Sequence, residues 1–326
     1  MALVAATPDG IVRVSGASTA PVAQSVLEGV DIRCLAVDPR APARVYAGTQ
    51  GHGVLRSNDG GSTWHPSGLG GMVVKALAVS GVASGLVYAG TKPPRLFRSA
   101  DAGESWDECP AFARMRRWWW WQPAETPHTP YVSTLAASPT DAGVIVAGIE
   151  AAKLLRSSDG GATWTHIGRG VAADAHELAF HPRDGRHVYL AAGFGASLST
   201  DGGATWAKLR SGLDRRYGFC LVPDPDDPGS AYLGAAPMRT AHTSNARACL
   251  FKLGGGSWTK LQGGLPRELA QLPYAIATSP LEPQTVYAGL GDGMIWHSQD
   301  RGGAWTVLPV DLAGVRRLAI TAEPHR

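Results

Sequence analysis

Apolar residues in this chain come in short bursts, and turn residues separate the bursts at regular distances. Ile32 to Asp38 is an apolar, partly alternating run that stops at Pro39. Val45-Tyr46-Ala47-Gly48-Thr49 follows, then Gly53-Val54-Leu55-Arg56-Ser57, then another short run after Trp64. Bursts of this length bounded by Gly, Pro and Asp predict β-strands, here four to a unit. The unit recurs. Val87-Tyr88-Ala89-Gly90-Thr91 and Val286-Tyr287-Ala288-Gly289 repeat the second strand closely. Six complete units begin near Ile32, Lys75, Val132, His176, Tyr217 and Tyr274.

Each unit carries a polar corner between its third and fourth strands. The pattern is Ser-x-Asp-x-Gly-x-x-Trp, at Ser57–Trp64, Ser99–Trp106, Ser157–Trp164, Ser199–Trp206 and Ser298–Trp305. A sixth copy has decayed to Gly254-Gly255-Gly256-Ser257-Trp258. A short Asp carboxylate accepts hydrogen bonds from backbone N–H groups of its own turn. Glycines take up backbone angles that other residues avoid, and the Trp ring buries a large area for one N–H. The corners therefore read as rigid hairpin turns pinned to the core, and Asp59, Asp101, Asp159, Asp201 and Asp300 as structural.

Strand units repeating every forty to sixty residues predict the blades of a propeller. The chain ends supply the remainder. Leu3 to Thr7 resembles a second strand, Ile11 to Ser15 a third, Val22 to Leu27 a fourth, and Val315 to Thr321 a first. The expected fold is an all-β, seven-bladed β-propeller spanning residues 1–326 as one domain, with one blade closed by strands from both termini. Such closure removes edges that would otherwise template aggregation. The alternative is six blades with frayed tails; both ends match the repeat, which favours seven.

Composition narrows the picture. Apolar residues at 44% support a real core, and 17% charged residues argue against disorder. A net charge of +3 gives no electrostatic footprint for nucleic acid. Cys34, Cys109, Cys220 and Cys249 lack metal-ligand spacing and read as free, buried thiols. Nothing approaches the roughly 18 apolar residues that span a membrane, and Met1 to Ala6 lacks the basic flank of a signal peptide. The expectation is a cytoplasmic monomer with a small-molecule or carbohydrate ligand, and no nucleic-acid or membrane partner.

The five corners resemble the Asp-box, or BNR, repeat of sialidase-like β-propellers, and the resemblance runs over essentially the whole chain. It implies the propeller fold and points to sialidases, xyloglucan-type endoglucanases, photosystem assembly factors and bacterial single-propeller proteins of glycosyl-hydrolase type. The chain departs from each. It has no Phe-Arg-Ile-Pro motif of the sialidases, and Arg13 sits instead in Ile-Val-Arg-Val. It holds one propeller where the endoglucanases have two in tandem, and it shows no export signal like that of the assembly factors. In this architecture the corners lie opposite the ligand face. That face is built by the second-to-third strand loops and the links into each first strand, where function concentrates.

Those segments hold the irregular residues. The insertion 109–130 carries Arg114, Arg116 and Arg117, four consecutive Trp from Trp118 to Trp121, and His128. It reads as a stacking surface or lid over the ligand face, or as an insertion burying its own rings. The loop Pro237 to Ala248 offers Arg239, His242, Asn245 and Arg247. Glu150 lies in another such loop; Asp174, His176 and Glu177, then Arg215, Arg216 and Tyr217, then Tyr274, then Arg316 and Arg317 lead into first strands.

Two chemistries fit this set. Glycoside hydrolysis needs two carboxyl groups, making Glu150, Asp174 and Glu177, with Tyr217, the candidate catalytic residues. Trp118, Trp119, Arg216, Arg239, Tyr274 and Arg317 are then the candidate ligand-binding residues, the arginines gripping an anionic group. Alternatively His128, His176 and His242, from three successive blades, hold a divalent transition metal as cofactor. A third possibility is a non-catalytic interaction or assembly scaffold, since Trp and Arg dominate interface hot spots. The reading adopted is a ligand-binding propeller with hydrolase-like chemistry on a sugar-like or anionic small molecule at the channel mouth.

Overall fold

The computed structural model describes residues 1–16, 20–115, 130–150 and 153–323. Seven four-stranded antiparallel sheets stand in a ring. Blades 1 to 6 take their strands in sequence order, with innermost strands Ile32–Val37, Val73–Val79, Val132–Ala137, Ala175–His181, Tyr217–Pro223 and Pro273–Ser279. Blade 7 joins the ends: Arg317–Thr321 is innermost, followed by Ala2–Thr7, Gly10–Ser15 and Val22–Glu28. The seam runs antiparallel from Ala2 opposite Thr321 to Ala6 opposite Arg317. Each innermost strand packs against the next, and Arg317–Thr321 packs on both Pro273–Ser279 and Ile32–Val37. The ring is closed, as the repeat predicted.

The second strands explain the Val-Tyr-Ala-Gly pattern. They are buried on both faces; Tyr46, Tyr88, Tyr189 and Tyr232 are at most 1% exposed. Such double burial gives a nearly continuous apolar run instead of strict alternation. The four cysteines are free and buried.

The corners are built from hydrogen bonds as their composition predicts. In blade 3 the Ser157 hydroxyl donates to Asp159 Oδ1 at 2.8 Å and accepts from Gly161 N–H at 2.8 Å. Asp159 also accepts from the Thr163 backbone N–H at 2.8 Å and the Thr163 hydroxyl at 2.5 Å. Trp164 Nε1 donates to the Gly161 carbonyl at 3.1 Å. The decayed copy in blade 5 is a different turn. Gly254 pairs with Ser257, and Gly255 and Gly256 have φ of 59° and 80°, the left-handed pair of a two-residue hairpin. With no corner carbonyl to receive it, the buried Trp258 Nε1 has no hydrogen-bond partner.

At the start of the insertion, Pro110–Met115 forms a short helix. Its Phe112 is fully buried and meets Trp164 edge-on, ring centres 5.3 Å apart. Trp118, Trp119 and His128 lie outside the described residues. No helix among the described residues is long and apolar enough to cross a membrane.

Candidate functional site at the channel mouth

The innermost strands begin, and the second strands end, on the face away from the corners. At that end six of the seven innermost strands carry a β-bulge, one residue after the second-strand pairing starts or two. The unpaired residues are Arg33, Lys75, Ser133, His176, Phe219 and Tyr274. A bulge re-aims side chains and is frequent beside functional sites. Here it repeats around the ring, so one residue per blade is displaced from the ladder at the same level. Arg317, first in the innermost strand of blade 7, completes the circle.

Neighbouring bulge residues touch. His176 lies 5.3 Å from Phe219 between ring centres, and Phe219 lies 5.0 Å from Tyr274 in an edge-to-face contact. Arg317 Nη1 donates to the Tyr274 carbonyl at 3.4 Å. The ring thus divides into an aromatic arc from blades 4 to 6 and a cationic arc of Arg317, Arg33 and Lys75 from blades 7, 1 and 2. Ser133 sits between them. Beneath lies a small cavity of about 50 Å³ lined by Lys75, Ser133, His176, Glu177 and Arg317. The opposite half of the channel is apolar, a cavity of about 340 Å³ walled by Leu35, Val37, Ile276, Leu318 and Ile320. The greasy end therefore faces the corners and the polar end faces the loops.

On the aromatic side, the Pro237–Ala248 loop leans His242 over the ring. Its Nε2 lies 2.8 Å from the Tyr217 hydroxyl and its Nδ1 lies 3.0 Å from the Tyr274 hydroxyl. Burial, followed by the charge of His176, lowers the His242 pKa below 6.5. Neutral imidazole has one donor and one acceptor nitrogen, so one tyrosine donates to it and the other accepts. His176 Nδ1 lies 2.7 Å from the Gly218 carbonyl and Nε2 lies 3.1 Å from Asp174 Oδ2. Both partners are acceptors, so both contacts are satisfied together when both ring nitrogens carry protons.

The carboxylates differ in environment. The hydrogen bond from His176 lowers the Asp174 pKa. Glu177 keeps part of its surface on the channel but is walled in by protein; burial raises its pKa, although Arg317 pulls the other way. Burial, then the charge of Glu150, raises the Tyr131 pKa. Burial also raises Tyr217, with Asp174 and Glu150 both contributing. Glu150, Asp174, Tyr131 and Tyr217 therefore share one neighbourhood.

Other expected residues are exposed. Arg216 and Arg239 are exposed and make no hydrogen bond or ion pair with the bulge residues. Arg247 turns outward to Glu268, with Nε to Oε2 at 2.9 Å, and Arg215 shares that carboxylate. Among the described residues no three His, Cys, Asp or Glu side chains gather as a metal site requires. Tyr217 comes between His176 and His242, its ring 4.9 Å from the first and 5.3 Å from the second.

Sequence reasoning passed over Arg33, Lys75, Ser133, Phe219 and Tyr131. A signal existed. Gly48, Gly90, Gly148, Gly234 and Gly289 recur in the second strands, each opposite the residue just after the bulge. Glycine inside a strand marks a bulge or a close approach. A Cβ on Gly90 would lie 2.4 Å from Val132 Cγ1 of the next blade, and one on Gly48 2.5 Å from Cys34 Sγ.

No family model and no curated protein matches the chain. Solved structures do. A GH74 xyloglucanase from Xanthomonas campestris is 19% identical with a TM-score of 0.64, covering 87% of this chain and 46% of that one. This chain spans about half the length of that enzyme. YCF48 bound to D1 peptide is 16% identical with a TM-score of 0.59, covering 85% of this chain and 81% of that one. The RRP9 WD40 repeats are 13% identical with a TM-score of 0.64, covering 98% and 89%. The shared property is the propeller. At these identities the likeness extends to the fold alone.

Proposed function

We propose that the chain binds a sugar-like small molecule at the channel mouth on the loop face and hydrolyses it. The observation that carries this reading is the bulge ring, with Asp174 bonded to its His176 and Glu177 in the wall of the cavity beneath it. Tyr274 and Phe219 offer aromatic surface for a sugar ring, and His242 with its two tyrosines offers directed polar contacts, the mixture typical of small-ligand sites. The likeness to a xyloglucanase over 87% of this chain adds support for a saccharide.

The roles follow from environment. Two carboxyl groups whose surroundings push their pKa values apart suit an acid and a base. Glu177, raised by burial, supplies a proton to the leaving oxygen. Asp174, held ionised by His176, activates the attacking water or attacks directly. Glu150, close enough to Tyr131 to raise its pKa, orients substrate hydroxyls. Nitrophenyl glycosides and oligosaccharides test the reading, alongside Glu177→Gln and Asp174→Asn. Turnover that falls by roughly 100-fold or more in each variant is the expected result. No turnover and no saccharide binding would remove it.

A second reading, docking of a peptide on the same face, is favoured by the match to YCF48 bound to a peptide, which covers 81% of that chain. Affinity capture yielding one stoichiometric protein, blocked by Tyr274→Ala, would support it over hydrolysis.

A further inference from the structure

We propose that the cationic arc of Arg33, Lys75 and Arg317 is an oxyanion subsite, and that the ligand carries a carboxylate or phosphate seated in the cavity below the bulge ring. The inference rests on the saccharide reading and adds the charge of the substrate to it.

Three observations converge there. First, two bulge residues carry unsatisfied buried polar atoms: Ser133 Oγ, on a residue of the cavity wall, and Arg33 Nε in the neighbouring arc have no hydrogen-bond partner. Buried donors are nearly always paired, so each unpaired one calls for a ligand or ordered solvent. Second, the positive charge is unmatched. Arg33 shares Asp31 with Arg316, at 2.5 and 2.6 Å. Among the described residues Lys75 pairs with no carboxylate; its Nζ lies 4.6 Å from the centre of the Tyr131 ring, with Lys92 Nζ 5.4 Å from the same centre. Third, the cavity of about 50 Å³ has Lys75, Ser133 and Arg317 in its wall. That is several times the roughly 10–15 Å³ needed to admit one water, which leaves room for one small oxyanion group.

The groups facing Lys75 are Arg33, Arg317 and Lys92, which repel its charge, Cys34, whose thiol burial holds neutral up to about 12, and the Tyr131 ring. Glu177 is the one carboxyl in the cavity wall, and burial favours its neutral form. Burial, then Arg33 and Arg317, lowers Lys75 to about 8. An anion placed among these groups reverses that repulsion, so its binding re-protonates Lys75.

Calorimetric titration with glucose, glucuronate and glucose 6-phosphate decides the matter. The subsite predicts that an anionic sugar binds at least roughly tenfold tighter than glucose. The stronger of the two identifies carboxylate or phosphate as the source. It further predicts that the preference disappears in Lys75→Met, whose melting temperature stays at or above that of the wild type because an unpaired charge has been removed from the protein interior. A second measurement needs no variant: at pH 8, binding of the anionic sugar to the wild type takes up protons, read from buffers of different ionisation heat. Equal affinity for all three sugars, a preference that survives Lys75→Met, or anion binding without proton uptake would each overturn the subsite while leaving glucose binding intact. If no sugar binds but inorganic phosphate or acetate stabilises the wild type and not Lys75→Met, the subsite stands and the saccharide reading fails.

Discussion

The Tyr46 hydroxyl of blade 1 donates to the Ala102 carbonyl of blade 2 at 3.1 Å, and Ala102 is the residue after Asp101 in that blade's corner. The same carbonyl position is used at every intact corner. Tyr88 reaches Gly160 at 3.3 Å and Tyr232 reaches Arg301 at 3.1 Å. Blade 3 has Val146 where the tyrosine would stand, and Arg156 Nε reaches Gly202 at 2.8 Å instead. At the seam, Arg13 and Thr321 both donate to Gly60 at 3.1 Å. Tyr189 faces the decayed corner and bonds to the Pro228 carbonyl. The corners therefore do more than fold their own hairpins. Each is the acceptor that latches the preceding blade to it.

This latch predicts a modest single effect and a larger joint one. Ala102 also accepts from Arg56 Nη1 at 2.7 Å. Tyr46→Phe should cost about 1 kcal/mol. Tyr46→Phe with Arg56→Met leaves the carbonyl without either donor, and the pair should cost more than the two singles summed. Urea denaturation of the four proteins reads the coupling; strict additivity would deny the shared acceptor.

Close packing at the bulge predicts that Gly90→Ala destabilises by about 1–3 kcal/mol, the usual cost of overpacking. The added methyl meets Val132 Cγ1 at 2.4 Å and Val132 Cβ at 2.6 Å. Adding Val132→Ala should recover part of the loss. A thermal melt in which Gly90→Ala matches the wild type would mean the blades can part at this level.

Acid stability should track the corners. Hydrogen bonds from Thr163 and Ser157 hold Asp159 at about 2, below its ordinary 3.8. Hydroxyl and backbone donors likewise lower Asp59, Asp101, Asp201 and Asp300. A carboxyl lowered in the folded state stabilises above its unfolded pKa, and that share is lost as pH falls through the folded value. Stability should therefore decline from near pH 4 towards pH 2. Asp159→Asn should be less stable at pH 7 and show a shallower decline. An unchanged slope would assign acid unfolding to other groups.

The His242 bridge predicts a pH-dependent wall. Below its lowered pKa both ring nitrogens become donors, both tyrosine hydroxyls accept from them, and both hydroxyl protons are freed for a ligand. Affinity for an acceptor-rich neutral sugar should rise as pH falls through that value, and His242→Ala should abolish the rise. Nitrogen NMR of the ring should show one protonated nitrogen at pH 7; two at that pH would contradict the neutral bridge.

The sequence by itself determined the blades, the corners and the closure of the ring by its two ends. These depend on local turn chemistry and on apolar runs that repeat, and both are written in consecutive residues. It also placed Asp174, His176, Glu177, Tyr217, Tyr274 and Arg317 on the loop face, because each leads into a first strand. Which of the candidates belong together was decided only in three dimensions. Arg216 and Arg239 were candidates alongside Arg317, yet both are exposed and neither bonds to a bulge residue, whereas Arg317 donates to the Tyr274 carbonyl. Arg33, Lys75 and Ser133 read as ordinary members of alternating strands until a bulge shifted each out of register. A bulge moves a side chain by changing the backbone pairing of a distant segment, so its consequence appears when seven blades are brought around one axis and not before.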